Sequence, residues 1–186
     1  GLQLQLVVYM NAAMELEGRK HPDKEIVPAA LLYYHIDDPT IETPVELSDE
    51  QINEQILAKL RMNGVVNSDP EVVERLDHYL QDKSAVIPVE KKKDGSFSAR
   101  SGILSREEMQ LVSTYVDAKI RDIGREILDG KIAASPYEKG NEEACTYCAY
   151  KKVCGFDGSI PGYEKRQLED LDKQTLMQRM QETVEA

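Results

Sequence analysis

GLQLQLVVYMNAAMEL, residues 1–16, carries apolar side chains at positions 2, 6, 9, 13 and 16. Steps of three and four residues are the signature of one helical face. The opening Leu-Gln-Leu-Gln-Leu also alternates, which leaves a strand start open. The length of the run favours a helix closed by Gly18 as its C-cap. Within that helix Gln5 and Tyr9 stand one turn apart on the same face. An amide and a phenol facing one way can orient a phosphate or a catalytic lysine by hydrogen bonding, although such a pair also occurs on many surface helices. The chain opens without an initiator Met, a polar lead or a basic signal region, so a piece of a longer protein is expected.

Downstream, Ile26–Ile36 (IVPAALLYYHI) reads as a buried strand stopped by Asp37-Asp38-Pro39. Ser48-x-x-Gln51 is a capping box. The helix it opens shows Ile52, Ile56 and Leu60 on one face, with Gly64 as its end. Asp69-Pro70 is an N-cap followed by Pro at the first helical position, with Val72, Leu76 and Tyr79 following. Ala85–Val89 and Phe97–Leu104 read as two strands joined by an Asp94-Gly95 turn. Ser105-x-x-Glu108 caps the longest helix, whose stripe is Met109, Val112, Val116, Ile120, Ile123 and Ile127, up to Gly130. Residues 135–162 have little periodicity and need their own contacts or a metal to hold them. Leu168, Leu171, Met177 and Met180 mark a marginal terminal helix. The domain reading is 1–134, a cysteine segment 135–162 and a charged tail 163–186.

The three cysteines of the chain, Cys145, Cys148 and Cys154, are spaced C-x2-C-x5-C in EEACTYCAYKKVCGFDG. Thiolates at this spacing suit one zinc ion or one iron–sulfur cluster, both of which take four ligands. The fourth would come from outside the chain, or, for zinc, from His21, His35 or His78. Idle thiols are the bland alternative. The spacing leads to the expectation that the three sulfurs converge.

Bulk composition sets the outer bounds. The chain has 186 residues, 41% hydrophobic and 31% charged, with a net charge of -11. This is an ordinary globular composition, with apolar runs too short for a membrane span. A net negative surface opposes tight nonspecific binding to phosphate backbones. Cysteine usage points to a reducing, cytoplasmic setting rather than a disulfide framework. No Gly-rich phosphate loop occurs, so ATP chemistry is not expected within these residues. Glu90-x-Lys92, beside a Lys-rich turn, reads as part of a solvated hairpin.

Taken together, Q-x-x-x-Y at Gln5 and Tyr9, the strand AALLYYHIDDP and the late cysteines resemble the C-terminal part of the nuclease domain of AddB-type helicase–nuclease subunits. These belong to the RecB-like branch of the PD-(D/E)xK nucleases. The resemblance implies an α/β (or α+β) fold, a partial mixed sheet flanked by helices with an irregular cysteine-bearing tail. It implies Mg²⁺-dependent hydrolysis of DNA ends in recombinational repair, with an AddA-like subunit as partner. Gln5 and Tyr9 would position the phosphate or the lysine. Cys145, Cys148 and Cys154 would supply three ligands of a structural 4Fe-4S cluster. The family's metal-binding carboxylates, its lysine and the first cluster cysteine lie upstream of the Gln/Tyr helix, outside these residues, so these residues alone are expected to be inactive. A zinc-stapled interaction module and a purely structural helper domain are the readings from other classes.

Overall fold

The computed structural model describes residues 4–36, 38–43 and 46–185. Leu2 and Asp37, used in the sequence reading, lie outside them. The chain divides into two compact units, Gly1–Val116 and Asp117–Ala186.

In the first unit the order is α1 (Gln5–Lys20), β1 (Ala30–Tyr33), α2 (Asp49–Leu60), β2 (Asn63–Asn67), α3 (Pro70–Leu76), β3 (Ile103–Leu104) and the first half of α4 (Arg106–Leu128). The sheet runs β1-β2-β3 and is mixed. β1 is antiparallel to β2, with Ala30 opposite Val66 and Tyr33 opposite Asn63, while β3 is parallel to β2. The α/β expectation is met. The caps are those written in the sequence. Ser48 and Gln51 exchange both capping-box hydrogen bonds, Asp69 accepts from Glu71 N, and Ser105 and Glu108 bond reciprocally at 2.7 and 3.2 Å.

The core is Val66, Val73, Ile87 and Val89, all buried, with Leu32, Met62, Phe97 and Ile103 packed against it. Two buried polar side chains organise its margin. Asn67 donates from Nδ2 to Pro28 O (3.0 Å) and accepts at Oδ1 from Asp69 N (3.0 Å). The Ser84 hydroxyl donates to Asp77 Oδ2 (2.7 Å) and accepts from the backbone of Val86 and Ile87. Buried groups satisfied in this way hold segments in place at little desolvation cost.

Several sequence expectations need correction. Helix α1 runs through Gly18 to Lys20, and His21 is its C-cap, its N–H bonding to Glu17 O. The buried strand expected over 26–36 is only Ala30–Tyr33, and Tyr33, Tyr34 and Ile36 are exposed. β2 is five residues long and offers no ladder beyond Asn63. Gly64 does not end α2. It sits in β2 at φ 135°, where a Cβ would meet Leu31 O at 2.0 Å. Val73, not Tyr79, carries the α3 contact, and Tyr79 is 93% exposed beyond the helix end. The two strands expected at 85–89 and 97–104 are replaced by single bridges, Lys83 to Glu90 and Lys91 to Phe97, with only Ile103–Leu104 as strand. On α4, Met109 and Val116 are buried, but Ile120, Ile123 and Ile127 are exposed.

The second unit holds the rest of α4, then β4 (Tyr137–Lys139), β5 (Glu142–Glu143), α5 (Lys151–Cys154), β6 (Arg166–Gln167) and α6 (Lys173–Glu185). Its small sheet runs β5-β4-β6, with β6 parallel to β4.

The close approach of three backbones in the first sheet yields a test. A Cβ on Gly102 would meet Gly64 O at 2.2 Å, as one on Gly64 would meet Leu31 O. Gly64→Ala and Gly102→Ala are each expected to lower unfolding free energy by about 1–3 kcal/mol through overpacking, with Gly64→Ala the worse because its φ is positive. Urea unfolding should show both losses, and the double variant should deviate from additivity because the two sites touch. An unchanged midpoint in Gly102→Ala would refute this packing.

Candidate functional site

Helix α1 lays Leu6, Met10, Ala13 and Met14 along β1 and the segment before it, around an open groove of about 440 Å³. No residue of α1 is fully buried, so the helix is held from one side. Asn11 fixes its rotation. Ser113 Oγ donates to Asn11 Oδ1 at 2.8 Å, tying α1 to the first half of α4. Glu25 and Arg106 form an ion pair nearby, and the hydrogen bond from Arg106 holds the Glu25 carboxyl below its ordinary pKa. The Asn–Ser clasp was not read from the sequence. Its one signal is a polar side chain inside an otherwise apolar run.

Gln5 and Tyr9 meet. Gln5 Nε2 donates to the Tyr9 hydroxyl at 2.5 Å. Tyr9 also lines the groove, at 59% exposure. The bond uses one amide hydrogen, and the second N–H, the amide oxygen and the phenol O–H remain for a ligand. Such a pair orients by hydrogen bonding and is no metal-binding carboxylate set. Among the described residues, the only carboxylate lining the groove is Glu17. Its pKa is lowered chiefly by the hydrogen bond from Lys20, at 2.6 Å. Glu90 of the E-x-K run is half-buried, and its backbone is clasped by Ser101 Oγ at 2.9 and 3.0 Å.

In the second unit, β4 and β5 lead into a series of tight turns. Thr146 N bonds to Glu143 O, Cys148 N to Cys145 O and Lys151 N to Cys148 O, before α5 closes with Cys154 N on Tyr150 O. Gly155, at φ 69°, ends α5 in the left-handed conformation that glycine favours. All three cysteines are free, Cys145 half-buried and the others exposed. The expected convergence is not found. Among the described residues no three His, Cys, Asp or Glu side chains are grouped to hold a metal. The donor chemistry suits a thiophilic centre, but the arrangement does not fit one. Each turn is set by its own backbone bonds, and thiols contribute no attraction that would draw them together. His21, His35 and His78 all belong to the first unit.

What the turns do have is a firm base. Lys165 Nζ bonds Glu143 Oε2 (2.6 Å) and Glu138 Oε1 (3.0 Å), and Gln167 Nε2 bonds Glu138 Oε2 (2.7 Å). Leu168 N reaches Glu138 O at 2.8 Å. Residues before and after the cysteines are thereby joined without any metal. The ring of Phe156 also meets Tyr163 edge-on, 5.5 Å between centroids. This clamp was missed in the sequence because its members are 22 to 29 residues apart.

Residues 1–155 match the sequence model of the PD-(D/E)XK nuclease superfamily. The chain belongs to that superfamily. PD-(D/E)XK nucleases generally work with a divalent metal. Curated relatives named as subunits of an ATP-dependent helicase/deoxyribonuclease are similar over nearly the whole chain. The protein from Lachnoclostridium phytofermentans is 40% identical over 94% of it, that from Bacillus mycoides 38% over 99%, and that from Desulforamulus reducens 34% over 99%. The chain spans about 16% of the length of these relatives. Among its described residues, no helix of this PD-(D/E)XK member is long and apolar enough to cross a membrane.

The clamp predicts a pH response of the small sheet. Hydrogen bonds from Gln167 and then Lys165 lower the Glu138 pKa from its ordinary 4.5. Those to Glu143 and Glu138 raise that of Lys165 above 10.5. A depressed carboxylate contributes stability above its unfolded value and loses it as pH falls through the folded value. A raised lysine contributes below its unfolded value and loses it as pH rises through the folded one. Amide shifts of Ala144 and Leu168 should stay constant between about pH 5 and 9 and move together in acid. Lys165→Met should broaden or shift that acid transition, and an identical profile in the variant would show that the clamp does not hold the sheet.

Proposed function

We propose that this chain is the C-terminal part of the nuclease domain of an ATP-dependent DNA helicase–nuclease subunit. The whole protein would act on double-strand DNA ends in recombinational repair, alongside an AddA-like helicase subunit, in the cytoplasm. The observation that carries this reading is the Gln5–Tyr9 hydrogen bond, with Tyr9 lining the α1–β1 groove, within a segment that matches the PD-(D/E)XK model over residues 1–155. The names of the relatives support the same reading.

When bound, Mg²⁺ would activate a water for attack on a phosphodiester. Its ligands are sought outside these residues, since no group of three candidate ligands occurs among the described ones. In this function Gln5 and Tyr9 present neutral donors and acceptors from a rigid helix. They hold a phosphate oxygen or the catalytic lysine in line without adding charge, and the loss of one such contact falls on positioning.

Cys145, Cys148 and Cys154 are the candidates in this chain for a structural 4Fe-4S cluster. The reading rests on their donor type and spacing, and on the Lys165 clamp that already joins the two ends of the cysteine loop. Binding requires the turns at 143–154 to rearrange.

In the intact protein, Gln5→Ala should lower kcat on linear duplex DNA about 10- to 100-fold, with a smaller change in KM, the pattern of a lost transition-state contact. A change confined to KM would instead make the pair a plain binding element. Metal analysis tests the cysteines. Iron and sulfide bound in the intact protein and lost in Cys148→Ala are expected. One zinc per chain without sulfide would replace the cluster with a zinc staple.

A further inference from the structure

Residues 83–100 carry five Lys or Arg against two Asp or Glu, a net of +3, while the remaining residues carry 18 against 32. This short segment is therefore opposite in sign to the acidic remainder of the chain. The fold presents it as a unit. Lys83 is bridged opposite Glu90, and Lys91 opposite Phe97, so three stretches of backbone run side by side. Lys91 N bonds Asp82 O at 2.6 Å, Lys92 N bonds Ser96 O at 2.7 Å, and Ser98 N bonds Glu90 O at 2.8 Å. Buried Ile87 and Val89 anchor the base in the core. At the tip Gly95 takes φ 82°, and Asp94 turns its carboxylate onto Ser96 N and Oγ. Lys92, Lys93 and Arg100 are exposed.

The five cations also differ from others in the chain. Arg19, Lys20, Arg75, Arg106, Lys139 and Lys165 each stand within 4 Å of a carboxylate. Among the described residues, none of Lys83, Lys91, Lys92, Lys93 and Arg100 forms an ion pair. Asp94 offsets part of the Lys92 charge, but a projection of net positive charge still attracts a polyanion, and the acidic remainder repels one, so contact is favoured at the hairpin. Its chemistry favours phosphate over a protein surface. The tip offers Lys, Asp, Gly and Ser, without an exposed aromatic anchor, and Lys is depleted from protein interfaces. Lys and Arg are usual partners of phosphate oxygens, and such contacts position a protein on the duplex without carrying sequence information.

We infer that the 83–100 hairpin is a sequence-independent binding element for the DNA phosphate backbone, with Lys92, Lys93 and Arg100 as its main contacts. This rests on the nuclease reading for the identity of the polyanion, and adds to it a surface remote in sequence from Gln5 and Tyr9.

The test uses the intact protein and fluorescein-labelled duplexes of two unrelated sequences, titrated by anisotropy from about 50 to 200 mM KCl. Lys92→Glu, Lys93→Glu and Arg100→Glu combined should weaken binding to both duplexes equally, on the order of 10- to 100-fold. The log K against log salt slope should fall by about 2–3. Arginine at 92 and 93 should preserve both. An unchanged slope overturns the inference. So does unchanged DNA affinity with lost assembly onto the helicase subunit, which would make the hairpin a protein-docking element. If the triple variant misfolds, acetylation footprinting of the unaltered protein decides. Lys92 and Lys93 must be protected by duplex DNA, and equal labelling with and without DNA overturns the proposal. Gln5-dependent cleavage with a silent hairpin defeats this inference alone. Hairpin-dependent binding without any cleavage defeats the nuclease reading alone.

Discussion

A buried amide, Asn67, is the constraint on which the first unit turns. An amide at 1% exposure must find partners or lose on the order of 1–3 kcal/mol for each unmet group. Asn67 finds them in two directions, at Pro28 O and at Asp69 N. The first fixes the chain entering β1. The second sets the turn from β2 into the N-cap of α3. Because Pro28 has no N–H of its own to pair, its carbonyl is the only backbone handle at that residue. One side chain at the end of the central strand thus sets where β1 begins and where Val73 enters the core.

The Gln5–Tyr9 pair depends on that frame without being part of it. Helix α1 contributes no fully buried residue, and its orientation comes from a groove face against β1 and from the clasp of Asn11 with Ser113. A helix fixed by one apolar face and one polar clasp still has its outer side available. This explains why Tyr9, with Gln5 bonded to it, is exposed and not in the core. The cysteine turns have the opposite organisation. Their base is clamped by Lys165, while Tyr147, Tyr150 and Val153 between the cysteines are exposed. Order there comes from the ends of the loop inward.

Charge serves different purposes in different places. The exposed pairs Glu15–Arg19 and Glu71–Arg75 follow helical spacing and are worth little each. The Glu138–Lys165–Glu143 group, about a third exposed, joins segments far apart in sequence. Lys92 and Lys93, in the turn at 91–95, are exposed and form no ion pair among the described residues.

Sequence alone determined the features whose partners lie within four residues. The capping boxes at Ser48 and Ser105, the Asp69-Pro70 start, the Asp94-Gly95 turn and the shared face of Gln5 and Tyr9 were legible because helix and turn geometry brings such neighbours together whatever surrounds them. The α/β class was legible for the same reason, from summed local patterns. Only the tertiary structure decided which apolar residues are buried, and so chose Val73 over Tyr79 and stopped the α4 stripe at Val116. It alone gave Gly64 to a strand instead of a helix end, since the need for a missing Cβ came from Leu31 across the sheet. The short strands β3 and β6 and the clasps of Asn67, Asn11 and Lys165 depend on partners 22 to 102 residues away, and no local pattern encodes them. The cysteine spacing was legible as donor chemistry. The placing of the thiols was not, because it is set by the backbone bonds of each turn and not by any attraction between the sulfurs.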